Sequence, residues 1–141
     1  MPNRRSDVVT AARSFLAVPW RHQGRDRDGL DCVGLVIMVA RAIGEGADWL
    51  EQPYATFPSE RHVRAVLDAH LTPLRGAPEP GDIALIRWRR TANHLAFVTD
   101  GGQPFGLLHS YRAMGKVSEH RADSYWRDRI AATYSFRSVE A

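Results

Sequence analysis

Apolar residues recur at helical spacing three times in the first half of the chain and at shorter, strand-like spacing in the second. Between Asp7 and Leu16 the apolar positions are Val8, Val9, Ala12, Phe15 and Leu16, one stripe of an amphipathic helix that Pro19 brings to an end. Cys32 to Ile43 is apolar almost all round, with Val33, Leu35, Val36, Ile37, Met38, Val39, Ala40 and Ile43. It stops at Gly44 and Gly46, as a buried central helix with a glycine cap does. Ser59 opens a third helix, Glu60 to Leu71, with Val63, Val66, Leu67 and Leu71 on one face. Loops run from Trp20 to Leu30 and from Pro53 to Pro58.

After Leu71 the period changes. Pro78, Pro80, Gly81 and Asp82 form a turn, and Ile83 to Trp88, His94 to Thr99, Gly106 to Tyr111 and Ile130 to Phe136 are short β-prone segments. Helices first and strands after predict an α+β fold, N-terminal helices packed on an antiparallel meander, and not the βαβ alternation of a nucleotide-binding sheet. No glycine-rich phosphate loop is present. The length of 141 residues, 44% hydrophobic and 25% charged, predicts one domain over 1–141 with one core.

A single cysteine excludes an intramolecular disulfide framework and a multi-cysteine zinc site, so packing alone must hold the fold. Met1 to Asp7 is basic without an apolar run behind it, which predicts no secretory leader, and no stretch approaches membrane-spanning length. The net charge of +3 mildly favours an anionic partner without choosing among nucleic acid, a cell-wall polymer and an acidic protein face. No nucleic-acid-reading motif accompanies it.

The candidate chemistry starts at that one cysteine. In Gly29-Leu30-Asp31-Cys32-Val33-Gly34-Leu35-Val36 a glycine-marked turn gives way to the central helix, so Cys32 stands at a helix start. Unpaired N–H groups and the positive end of the helix dipole there favour a thiolate, and a lowered thiol pKa is the expectation. The competing reading is a small buried apolar residue. Asp31 precedes the helix and reads first as its N-cap, with a second role in ordering the pocket.

Two histidines complete a nucleophile's requirements. If Gly101 and Gly102 form a two-residue hairpin turn, Asp100 opposes Gln103 and His94 falls opposite His109, with Cβ atoms roughly 4.5 to 5.5 Å apart on one face. Pro104 lacks a donor and threatens that turn; a register change of two keeps the pair diagonal on the same face, and an odd change separates it. Cys32 as nucleophile, His94 as general base and His109 as the group that orients His94 form a catalytic set, with the Cys32 N–H as one oxyanion donor. The same three residues also allow a zinc-dependent hydrolase.

Five segments resemble, in order, the motifs of the NlpC-type, papain-like cell-wall cysteine peptidases. They are Pro19-Trp20-Arg21-His22-Gln23-Gly24, Leu30 to Val36, Pro80-Gly81-Asp82, Asn93-His94-Leu95-Ala96-Phe97-Val98 and Leu107-Leu108-His109-Ser110-Tyr111. Arg87-Trp88-Arg89 and Tyr125 to Ala132 make the layout similar to the peptidases of phage tails and gene transfer agents. The resemblance implies a papain-like fold, no cofactor, and cleavage of peptidoglycan stem peptides, typically the D-γ-glutamyl bond to diaminopimelate. It also implies tail hub or tip proteins as partners, and location in a virion or in the host cytoplasm before assembly. Trp20, Asp31 and His22 are the substrate-side candidates. Three positions depart from the commoner pattern: Trp20 replaces Tyr, His22 replaces Trp, and Val33 replaces Ser. These departures keep open a structural tail-tip component with little activity.

Among the other histidines, His62 and His70 lie eight residues apart on the third helix and read as solvated, and His120 lies in a polar stretch. Arg87-Trp88-Arg89-Arg90 reads equally as a binding patch and as a solvated strand end, and Arg121 to Arg129 as a candidate docking surface.

Overall fold

The computed structural model describes residues 4–46 and 58–139. Of the Pro53–Pro58 loop only Pro58 falls within them, and Met1 to Asn3 fall outside. Helix α1 (Arg5–Arg13) buries Val8, Val9 and Ala12. It ends sooner than its stripe predicts: Phe15 and Leu16 bond back to Ala12 and Arg13 in tight three-residue steps, and Ala17 turns left-handed at φ 73°. A two-stranded ribbon, β1 (Arg25–Asp26) and β2 (Gly29–Leu30), interrupts the expected Trp20–Leu30 loop and leads into α2 (Cys32–Ala42). Asp31 caps α2 at its start, and Gly44, at φ 81°, follows its end. Helix α3 (Glu60–His70) is capped by Ser59, which accepts from the His62 N–H at 3.2 Å.

The remaining chain forms β3 (Thr72–Leu74), β4 (Ile83–Trp88), β5 (Thr91–Thr99), β6 (Gly106–Tyr111), β7 (Lys116–Arg121), the short α4 (Ser124–Arg127) and β8 (Ile130–Ser135). They build one six-stranded antiparallel sheet, with β1–β2 apart from it, in the order β3-β8-β4-β5-β6-β7. The α+β class is as expected. The meander differs in its last member: it covers β4 to β7, and the expected fourth segment, β8, crosses back after α4 to pair with β4.

The two faces of the sheet differ. On one, Ile83, Leu85, Leu95, Phe97, Leu108 and Val117 pack under Val8, Ala12, Leu35, Val36, Val39 and Leu67 of the helices, each fully buried large aliphatic contributing about 1.5–3 kcal/mol. On the other, Ala84, Ile86, Ala96, Val98 and Leu107 meet Trp88, Trp126 and Ile130. His94, in step with Ala96 and Val98, and His109, in step with Leu107, belong to this second face.

The β5–β6 hairpin is not closed by a Gly101-Gly102 turn. Thr99 faces Gly106, Val98 faces Leu107 and Phe97 faces Leu108, a register two residues longer than expected. Pro104 cannot donate to a ladder, and the loop instead spans 100–105, braced by the Gly101 N–H on Thr99 Oγ1 at 3.1 Å. A shift of two leaves every side chain on its expected face, so His94 and His109 are diagonal neighbours.

Candidate active site

Cys32 is set in place by the chain on both sides of it. Asp31 Oδ1 accepts the Gly34 N–H at 2.7 Å, and Oδ2 accepts the Gln23 N–H at 2.8 Å, so one carboxylate both caps α2 and ties down the preceding loop. Arg25 and His22 approach the same carboxylate at 3.4 and 4.0 Å. A Cβ at Gly34 would collide with the Gly24 carbonyl, so the loop lies on the helix more closely than any side chain allows. Ser110 Oγ donates to the Leu30 carbonyl at 2.6 Å, which fixes the strand of His109 to the residue two before the thiol.

The β5–β6 ladder ends at Phe97 and Leu108, and beyond it the strands part. Cys32 comes to this opening from the helix side, where the backbone of Leu95, of Val33 and of Cys32 itself favours the ionised thiol. His94 comes from the other face, and both residues line one cavity of about 820 Å³. His94 Nε2 lies 2.7 Å from His109 Nδ1. That leaves His94 Nδ1 as the nitrogen available to the thiol. Trp88 stacks on His94 at 4.5 Å between ring centroids, and Tyr111 stacks parallel on His109 at 5.1 Å. Trp126 stands edge-on to His109 at 5.1 Å.

This enclosure reverses the expected thiol chemistry. Burial, with the Asp31 carboxylate adding to it, pushes the Cys32 thiol up to about 12, against the three backbone groups. Burial likewise pushes His94 down to about 3, and it holds His109 well below the ordinary imidazole value, helped by His94 and His120. Both shifts favour thiol and neutral imidazole at rest over thiolate and imidazolium. Helix-end donors are present, as the sequence implied, but desolvation outweighs them. The half-buried Cys32 keeps an edge on the cavity, where a substrate can reach it.

Trp20, His22, Asp31, Cys32 and His94 all line this cavity, while His109 is fully buried behind His94. Asp31 reaches it with both carboxylate oxygens engaged, Oδ1 in the cap and Oδ2 on the Gln23 N–H, which favours its structural role. The zinc alternative does not fit this geometry: His94 and His109 spend facing nitrogens on each other, and among the described residues no three such side chains converge on a point.

Sequence reasoning missed several neighbours. Strand β7 was not anticipated, and it places His120 Nε2 2.8 Å from His109 Nε2, so His120 belongs to the histidine row and is not merely solvated. The signal available was the Gly115 turn after Tyr111, which folds Leu107 opposite His120. The arginine cluster divides: Arg87 clamps Glu60 of α3 at 2.6 and 3.0 Å, Trp88 covers His94, and Arg89 lines the cavity. Arg112, Tyr125 and Arg129 line it as well, so the Arg121–Arg129 stretch contributes to the wall of the site.

No family profile matches the sequence, and no curated protein matches it. Solved structures match in shape. An NlpC/P60 family protein from Bacillus cereus superposes with a TM-score of 0.68 at 17% identity over 96% of this chain, which spans 41% of that protein's chain. The NlpC/P60 domain of the peptidoglycan hydrolase SagA gives 0.66 at 15% identity, over 95% of this chain and 100% of that one. The P60 domain of the M. avium subspecies paratuberculosis antigen MAP1204 gives 0.56 at 16%, over 97% and 96%. A cysteine at a helix start, a histidine on the adjoining strand and an α+β frame around them thus sit on the papain-like fold of NlpC/P60 domains.

Proposed function

We propose that the protein is a thiol-dependent endopeptidase of bacterial peptidoglycan, cleaving the stem peptide at the D-γ-glutamyl bond to diaminopimelate. The observation that carries this reading is a shared cavity for Cys32 and His94 in which the far nitrogen of His94 is held by His109. The description of SagA as a peptidoglycan hydrolase supports the substrate, and Arg89, Arg112 and Arg129 on the cavity wall suit the carboxylates of stem peptides. Aromatic walls from Trp20, Trp88 and Tyr125 suit its apolar stretches.

The chemistry follows from a neutral pair. As Cys32 Sγ attacks the scissile carbonyl carbon, its proton passes to His94 Nδ1. The carbonyl oxygen takes up negative charge beside the Cys32 N–H at the start of α2, and the Leu95 backbone, which acts on the same thiol, is the candidate for a second donor. Collapse breaks the C–N bond, and the imidazolium returns its proton to the leaving amine. Water, deprotonated by His94, then attacks the thioester carbon; the acid product leaves and the thiol re-forms.

The placement in a phage-like tail rests on sequence resemblance: Arg87-Trp88-Arg89 and Tyr125 to Ala132, which carry it, contribute Trp88, Arg89, Tyr125 and Arg129 to the cavity wall. In that setting 1–141 acts as one peptidase domain and the particle brings it to the wall. Digestion of purified Gram-negative sacculi by wild type and Cys32→Ala, with fragments identified by mass spectrometry, tests the reading. Stem-peptide fragments released by wild type alone are expected. Release by neither, while particles still assemble, would replace it with a structural tail component.

A further inference from the structure

The histidine row does not end at His109. His109 Nε2 meets His120 Nε2 at 2.8 Å, and His120 Nδ1 meets the carbonyl oxygen of Arg121 at 2.9 Å. A carbonyl oxygen only accepts, so His120 must carry its proton on Nδ1. A neutral His120 then presents a bare Nε2, and His109 must donate to it from Nε2–H. His109 Nδ1 is thereby bare, and His94 must donate to it from Nε2–H. One backbone carbonyl thus dictates three tautomers, and the last leaves His94 Nδ1 without a proton, as a general base requires.

We propose that His120 is a positioning residue of this site, transmitting the fixed polarity of the Arg121 carbonyl through His109 to His94. This rests on the reading of His94 as the base for Cys32, but the protonation pattern can be observed without any substrate. The arrangement is built rather than incidental. His120 stands opposite Leu107 across β6 and β7, and Trp126 packs on it at 5.0 Å and on His109 at 5.1 Å, holding both rings in place. With the row reversed, His109 Nδ1–H would face His94 Nε2, His94 would be protonated at Nδ1, and the thiol proton would have nowhere to go.

A packing role and a positioning role predict opposite orders for two variants. His120→Phe keeps a flat ring against Trp126 and loses both nitrogens. His120→Gln loses the ring but can donate an amide N–H to the Arg121 carbonyl and accept from His109 with its oxygen. Nitrogen-15 spectra of histidine-labelled full chain, with His94, His109 and His120 assigned by single substitutions, read the tautomers directly. In wild type, Nε2–H forms are expected for His94 and His109 and an Nδ1–H form for His120. His120→Gln should preserve the first two and keep kcat on a stem tetrapeptide within a few-fold. His120→Phe should give mixed tautomers at His94 and lower kcat by at least about tenfold with KM little changed, since a wrong tautomer can cost a catalytic histidine up to about 10⁴-fold. An Nδ1–H form at His94 in wild type, or His120→Phe outperforming His120→Gln, would overturn the proposal. If His120→Phe does not fold, the wild-type and His120→Gln spectra still decide it. Wild type inactive on peptidoglycan with the expected tautomers would sink the peptidase reading alone.

Discussion

The two faces of one sheet are built to different ends. Toward α1, α2 and α3 the contacts are apolar and the fit is one of volume; toward α4 apolar residues such as Ala84, Ile86 and Val98 share the face with three histidines and a wall of Trp88, Tyr111 and Trp126. The first face places Cys32, through the capped and closely packed start of α2. The second sets which atoms of His94 and His109 carry protons, through burial and directed hydrogen bonds. Position and protonation are thus supplied from opposite sides and joined where β5 and β6 part.

That division can be broken first on the histidine side. His109→Ala should lower kcat on stem peptides by about 10³-fold, because His94 loses its partner inside a dry pocket. His109→Gln should recover most of it, its oxygen accepting from His94 and its N–H donating to His120. Equal activity of His109→Ala and wild type, in steady-state assays, would remove His109 from the site.

On the cysteine side the expected effect is about a hundredfold. A thiol raised to about 12 carries far less thiolate at neutral pH than a free one near 8.5, partly offset by greater intrinsic nucleophilicity. Alkylation by iodoacetamide should therefore be about a hundredfold slower than for a free cysteine at pH 7 and rise steadily with pH. Asp31→Asn, which keeps a capping oxygen and removes the charge, should speed it severalfold. A fast plateau near pH 5 would show a thiolate–imidazolium pair instead.

A smaller effect is expected in stability against acid. His94 is about 3 in the fold and near 6.5 when unfolded, so the unfolded chain binds the extra proton; the stabilisation is complete above about pH 6.5 and is lost as pH falls toward 3. His109 acts in the same direction. The midpoint of thermal unfolding should drop on acidification from pH 7 to 5, and His94→Gln should flatten that slope. The smallest change is Asp31→Ala, about 1 kcal/mol or somewhat more in denaturant titration, for loss of the cap and of the Gln23 tie. Unchanged stability would deny that Asp31 holds the helix start.

The legible parts of the chain follow the same division. Helix α2 was readable because twelve nearly continuous apolar residues end in glycine, and β4 and β6 because their apolar runs are bounded by turn residues. The pairing of His94 with His109 survived a wrong turn, since alternation has a period of two and the loop grew by two. Strand β7 was hidden because Lys116-Val117-Ser118-Glu119-His120-Arg121 offers one apolar residue, its polar groups being matched by Arg13 of the distant α1 and by His109 of the neighbouring β6. The sign of the Cys32 shift was hidden for a related reason: local sequence shows the helix start, whereas the strands that dehydrate it come about sixty residues later.

Ser110 gives the assembly a mechanical property. On β6 it faces the helices and grips the Leu30 carbonyl, while its neighbour His109 faces the other way and grips His94. Nucleophile and base therefore hang from adjacent residues of one strand, so thermal displacement of that strand carries both together and changes their separation little. Fluctuations that would detune a pair mounted on independent loops are here largely common motion, and the site should lose its geometry only when β6 itself leaves the sheet.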